Sequence, residues 1–357
     1  MNHRFAVLDI FRGLFASLLF CFHLNAFLPT PLLNNSFITN TDVFVDLFFV
    51  LSGFVISYVY QSIATGADLL RFYKKRLRRL YPLHLLMLIV FVGLELGKGG
   101  VLPGSNNLTS FFSSLFLLNS IKMPGVTGES WNYPSWSISA EVLSYLAFGA
   151  LSLGINRAGL YKYRHWFYIG VVLLGLGALR LITGGFVLVF TWDYGFVRGI
   201  VGFFTGALCF IAFSRLRPLV DTPLRTRRNR SLFTLTELVL ILSLVGLVCA
   251  GTVMKQYGFV YEALFFLIIL VFAFEKGMLS QVFNRIPVLH RIGECSYSIY
   301  MTHALLVSIF AFALGRVLHL PGYALSIALL PEYIILYYVS RFTWRHVEMR
   351  FYHPSRR

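Results

Sequence analysis

Arg12 and His23 stand eleven residues apart in one apolar stretch, LDIFRGLFASLLFCFH, from Leu8 to His23. At about 100° per residue this is close to three whole helical turns, so both side chains share one face roughly 16 Å apart along the axis. Ionisable groups inside a bilayer cost about 2.5 kcal/mol or more and mark function by default. A cation near one end and a proton-exchanging imidazole near the other therefore read as two ends of one site. Asp9 lies one turn before Arg12. It either belongs to that site or neutralises Arg12 in an i,i+3 ion pair.

Four further constellations could carry chemistry. Asp46 opens the span FVDLFFVLSGF (44–54) and is expected at the depth of His23, where a carboxylate could orient the imidazole and stabilise its cation. It could equally cap the helix N-terminus. Ser52 and Gly53 in that span suit close helix packing. Glu141, in SWNYPSWSISAEVLSY (130–145), enters the membrane as a buried acid that needs a partner or a proton. It either binds an acceptor hydroxyl or is satisfied by Arg180 or Arg198. The basic stretch RFYKKRLRRLYP (71–82) carries Arg71, Lys74, Lys75, Arg76, Arg78 and Arg79. Such a loop either sets topology and attracts anionic lipid or clamps phosphate, which matches the Arg fork. His303, in CSYSIYMTHALL (295–306), is a weaker candidate, embedded in its helix with no charge near it in sequence.

Only 13% of the 357 residues are charged and 57% are hydrophobic. Soluble domains run nearer a quarter charged, so the chain is expected to be an all-α polytopic membrane protein. A single transmembrane domain over 1–357 is expected, with no appended soluble domain and no cleavable signal peptide. Helical spans need about 20 apolar residues. Ten are expected, at about 5–27, 43–60, 81–97, 134–154, 166–183, 196–213, 232–250, 258–274, 296–314 and 323–343. The stretch 108–121 is too short and Ser-rich for an eleventh and reads as an interfacial or re-entrant piece. No internal repeat is visible.

The net charge of +16 would suggest nucleic-acid binding until the charges are placed. With both termini cytoplasmic, twenty-four of the Lys and Arg residues fall in inner segments and four in outer loops, as the positive-inside rule requires. That excludes nucleic acid as the expected partner and makes the lipid bilayer one. Cys21, Cys209, Cys249 and Cys295 show no metal spacing, and no metal site is expected.

Taken together, the motifs resemble the acyltransferase-3 family of membrane proteins, which O-acylate sugars of the bacterial envelope and related acceptors. The resemblance rests on LDIFRG with Arg12 and His23, on FVDLFFVLSGFVIS, on KKRLRRLYP with Arg76 and Arg79, on PSWSISAEVLSY with Glu141, and on YSIYMTHALL with His303. It implies an enzyme of the bacterial inner membrane that takes an acyl group, acetyl foremost, from acyl-coenzyme A (acyl-CoA), a donor substrate rather than a resident cofactor. The acceptor would be a hydroxyl of a carbohydrate or lipid-linked glycan. His23, Asp46 and Glu141 are then expected at the reaction, Arg12, Lys75, Arg76 and Arg79 at the donor, and His303 and Asp9 as additional site residues. Homo-oligomerisation stays open. The rival readings are a proton-coupled transporter of a small anionic or sugar substrate and a structural subunit of a polysaccharide-assembly complex.

Overall fold

The computed structural model describes residues 4–97, 105–187, 189–221 and 226–352. Among them every regular element is a helix. In order run α1 (Ala6–Phe27), α2 (Phe44–Val59), α3 (Gly66–Gly97), α4 (Leu108–Leu115), α5 (Trp136–Arg157), α6 (Arg164–Thr183), α7 (Gly195–Val220) and α8 (Thr226–Cys249). The short α9 (Thr252–Lys255), α10 (Gly258–Phe272), α11 (Met278–Arg285) and α12 (Pro287–Glu294) follow, then α13 (Ser296–Phe310), α14 (Gly322–Thr343) and α15 (Met349–Tyr352). Nine helices among the described residues are long and apolar enough to cross a membrane. In lipid, an isolated helix is the element that satisfies every backbone polar group internally.

Two expectations about span limits change. The third span was expected to begin at 81, after a basic loop. Instead α3 is one helix of 32 residues with Pro82 inside it. Leu, Lys and Arg are good helix formers, and Pro82 removes only the bond to the Arg78 carbonyl. The basic stretch is therefore a rigid rod that carries its cations at fixed angles. The eighth expected span, 258–274, is the 15-residue α10, about 22 Å long at 1.5 Å per residue. It packs inside the bundle against α2, α7 and α8. The stretch 108–121 forms the eight-residue α4, whose first turn is closed by a reciprocal Asn107–Ser110 capping box. Residues beyond α4 are tied to α5 through the Ser139 hydroxyl, 2.7 Å from the Leu117 carbonyl. Lys98 and Arg225, counted among the loop cations, lie outside the described residues.

At the centre of the bundle α2 lies against α7 with the two backbones touching. A Cβ at Gly53 would overlap the Phe203 carbonyl, and one at Gly206 the Val50 carbonyl. Small residues at such crossings let helices gain dispersion contacts where lipid supplies no hydrophobic drive. Phe54, Phe203, Phe204 and Phe210 fill the surrounding space. A Gly53→Val variant must push the helices apart and is expected to lose about 1–3 kcal/mol, the usual cost of overpacking. Thermal unfolding of the detergent-purified protein reads this; an unchanged transition would contradict the close approach.

Candidate active site

The helices converge on a cavity of about 90 Å³. Arg12 enters it from α1, Ser52 from α2, Arg76 and Arg79 from α3, Glu141 and Tyr145 from α5, and Tyr297 and Tyr300 from α13. Three guanidinium groups thus share the space with one carboxylate. That imbalance gives the cavity a net positive field in a low-dielectric setting, where charges act strongly.

Each charge is held from behind. Asp9 lies 3.6 Å from Arg12 and 2.9 Å from Arg4, at the mouth of the bundle. Arg76 is buried, donates to the Tyr60 hydroxyl at 3.3 Å, and stacks its guanidinium 5.3 Å from that ring. Its Nε has no partner among the described residues. Position three of the paired-Arg motif, Arg79, faces the same space because residues three apart are neighbours on a helix. Lys75, one turn before Arg79, is not among the residues that line the cavity. It is exposed, as are Lys74 and Arg78.

Glu141 meets neither Arg180 nor Arg198. Ser52 donates to its Oε1 at 2.6 Å, and Tyr145, one turn further along α5, donates to the same oxygen. Ser52, expected to serve helix packing, therefore binds the acid. Tyr145 at i+4 was a visible signal; Ser52, 89 residues away, was not.

Asp46 is also corrected. It was expected beside His23, yet its two oxygens take Arg198 Nε at 2.6 Å and Nη2 at 2.8 Å. This is a buried fork-to-fork pair between α2 and α7. Arg198 is further held by the Phe190 carbonyl at 3.2 Å and lies 5.1 Å from the Trp136 ring.

The partner of His23 is His303. His303 Nε2 lies 3.0 Å from His23 Nδ1, and that Nδ1 is also 3.0 Å from the Leu19 carbonyl oxygen. A carbonyl can only accept, so Nδ1 of His23 carries the proton and shares it between the two. In the neutral ring this leaves Nε2 with the lone pair that a general base needs. The same geometry makes His303 Nε2 an acceptor, able to stabilise an imidazolium on His23.

Aromatic rings surround the pair. Tyr133 packs 4.8 Å from His23, centroid to centroid, and its buried hydroxyl has no partner among the described residues. Tyr133 follows a fixed turn. Trp131 takes φ 55°, its N–H donates to Asn106 Oδ1 at 2.7 Å, and the Asn132 amide donates to the Met301 carbonyl at 3.1 Å. The cavity stops short of the histidines at Tyr300, whose ring is 5.6 Å from His303 and whose hydroxyl is 2.7 Å from that of Ser137.

A family model described as "Acyltransferase domain" matches residues 5–342. The chain belongs to the acyltransferase-3 family. A shorter stretch of 105 residues is 33% identical to Acyltransferase MdmB of Streptomyces mycarofaciens, covering 29% of this chain and 26% of that relative. The match thus spans about a quarter of the relative. No solved structure matches the chain. Within this acyltransferase-3 protein, the family match covers both the arginine cavity and the histidine pair.

Breaking a buried ion pair leaves one charge stranded, at a cost of about 3–5 kcal/mol, whereas replacing both members by apolar groups is often neutral. Asp46→Leu is accordingly expected to lower the unfolding temperature steeply, and Asp46→Leu with Arg198→Met to recover most of the loss. An additive double variant would contradict the pairing.

Proposed function

We propose that this protein is a membrane O-acyltransferase that moves an acyl group, acetyl foremost, from acyl-CoA to a hydroxyl of an envelope or exported polysaccharide or glycolipid. The observation that carries the reading is the cavity in which Arg12, Arg76 and Arg79 face one carboxylate, below a histidine with a free Nε2. Membership of an acyltransferase family supports the reaction class. The excess of basic residues in alternate loops supports cytoplasmic termini in a bacterial inner membrane.

Arg76 and Arg79 would receive the phosphates of the donor, since guanidinium forks match phosphate oxygens in geometry and charge. Arg12 would hold the next part of the path. Glu141, oriented by Ser52 and Tyr145, offers its second oxygen to an N–H of the pantetheine arm. The arm would pass Tyr300, and its thioester would reach His23.

At that point His23 Nε2 takes the proton of the acceptor hydroxyl as its oxygen attacks the thioester carbonyl. His303 Nε2 accepts from the imidazolium. The C–S bond then breaks, and the thiolate takes the proton back from His23, leaving an ester and free coenzyme A. Charge gathers on the carbonyl oxygen during attack, and a preorganised donor there contributes most to such reactions. The unpartnered Tyr133 hydroxyl beside His23 is suited to that role. His303 thus takes the orienting part that a carboxylate plays in a catalytic triad.

In proteoliposomes supplied with acyl-CoA and a carbohydrate acceptor, His23→Ala is expected to lower transfer by about 10²–10⁴, the usual worth of a positioned base. Tyr133→Phe should lower kcat by about 10² or more with KM for the donor unchanged. Wild-type turnover in His23→Ala would overturn the mechanism. Separately, Arg76→Gln with Arg79→Gln should raise KM for acyl-CoA by about tenfold or more, from loss of charged hydrogen bonds. An unchanged KM would confine these residues to topology.

A further inference from the structure

A second opening lies on the outside of the bundle, away from the arginine cavity. Val172 and Leu176 of α6, Val201 and Thr205 of α7, and Phe259, Glu262 and Phe266 of α10 line an apolar groove. The outward face of α6 is bare, with Leu173, Leu174 and Leu181 at 63%, 76% and 88% exposure. In a membrane this groove therefore faces lipid.

One residue does not fit an inert lipid-facing crevice. Glu262 is only 4% exposed, and neither of its carboxyl oxygens has a partner among the described residues. Unpaired polar groups in such surroundings cost about 1–3 kcal/mol each and are rare in folded proteins. The two ionised groups facing it do not supply a bond. Asp46 and Arg198 are spent on each other at 2.6 and 2.8 Å. Gly202 of α7 lies between Glu262 and that pair, and a Cβ there would meet Phe49 Cβ at 2.8 Å and Glu262 Oε1 at 3.2 Å. Glu262 lines the groove with both carboxyl oxygens buried.

The position along the membrane adds to this. Glu262 is four residues from the start of α10 at Gly258, or about 6 Å at 1.5 Å per residue. The groove runs inward from it along Phe266 and Leu267. A ligand placed there would have a head near the membrane interface and an apolar chain directed to the interior. A head that donates hydrogen bonds would satisfy the carboxyl's acceptor oxygens.

We propose that this groove binds an amphiphile with a single apolar chain and a hydrogen-bond-donating head, a hydroxyl or an amine, held by Glu262. The site is separate from the arginine cavity and does not rest on the acyltransfer mechanism. Binding at such sites follows the general pattern of an apolar pocket in which one or two polar groups set specificity.

The test uses photoreactive probes with a diazirine on a 16-carbon chain, ending in a hydroxyl, an amine or a methoxy group. The full-length protein is held in phosphatidylcholine nanodiscs, whose headgroups carry no donor. The hydroxyl or amine probe should label α6, α7 or α10 around the groove about tenfold more than the methoxy probe, the worth of roughly one net hydrogen bond. Glu262→Leu should erase the preference, while Glu262→Gln, which still accepts, should keep most of it. Comparing the hydroxyl and amine arms tells which head is preferred. Equal labelling by all three probes, or a preference that survives Glu262→Leu, would overturn the proposal. If Glu262→Leu does not fold, equal labelling of the wild type by donor and methoxy probes still decides against it.

Discussion

A charge in hydrocarbon must be paired, or else open onto a cavity, and this constraint arranges the whole molecule. The Asp46–Arg198 fork is the fullest case of pairing. It joins α2 to α7 at the level where those helices first meet, and the glycine contacts of Gly53 and Gly206 continue the same interface further along. With Arg198 absorbed there, Glu141 is left to two hydroxyls, and Arg12, Arg76 and Arg79 line the cavity beside it. Three guanidinium groups against one carboxylate then give the cavity its positive field.

The two candidate centres differ in how they handle charge. In the cavity, Arg12, Arg76 and Arg79 are fixed cations that could meet an anionic donor. Above it, His23 and His303 form a hydrogen-bonded pair in which the Leu19 carbonyl holds a proton on His23 Nδ1. The first suits binding and the second suits proton transfer. Tyr300 stands between them, hydrogen-bonded to Ser137 and packed on His303, so a donor arm that joins the two centres must displace or pass that ring.

Much of this was legible in the chain. Hydropathy located nearly every membrane helix, because a lipid-facing helix needs an unbroken apolar stretch. Arg12, Glu141, Arg76 and Arg79 were legible as site residues through motif and helical spacing, and the cavity joins them. The partners of Asp46, Glu141 and His23 were not legible. Arg198, Ser52 and His303 lie 152, 89 and 280 residues from them in sequence. Helices that are apolar all round give little periodic signal of which face meets which neighbour. Asp46 was assigned to His23 by depth alone, and depth does not fix the angle about the bundle axis. The basic stretch before Pro82 was read as a loop because proline and dense charge both suggest an interruption. It remained helical because Pro82 removes one backbone bond in a rod of 32 residues.

The central claim is that one path joins a cationic donor cavity to a histidine base. Acyl-CoA binding to the purified protein in nanodiscs, measured by calorimetry without acceptor for wild type and His23→Ala, tests it most directly. Equal affinity in the two proteins, with coenzyme A released by wild type alone once a carbohydrate acceptor is added, is the predicted result. No binding by wild type, or acceptor-dependent release by His23→Ala, would contradict it.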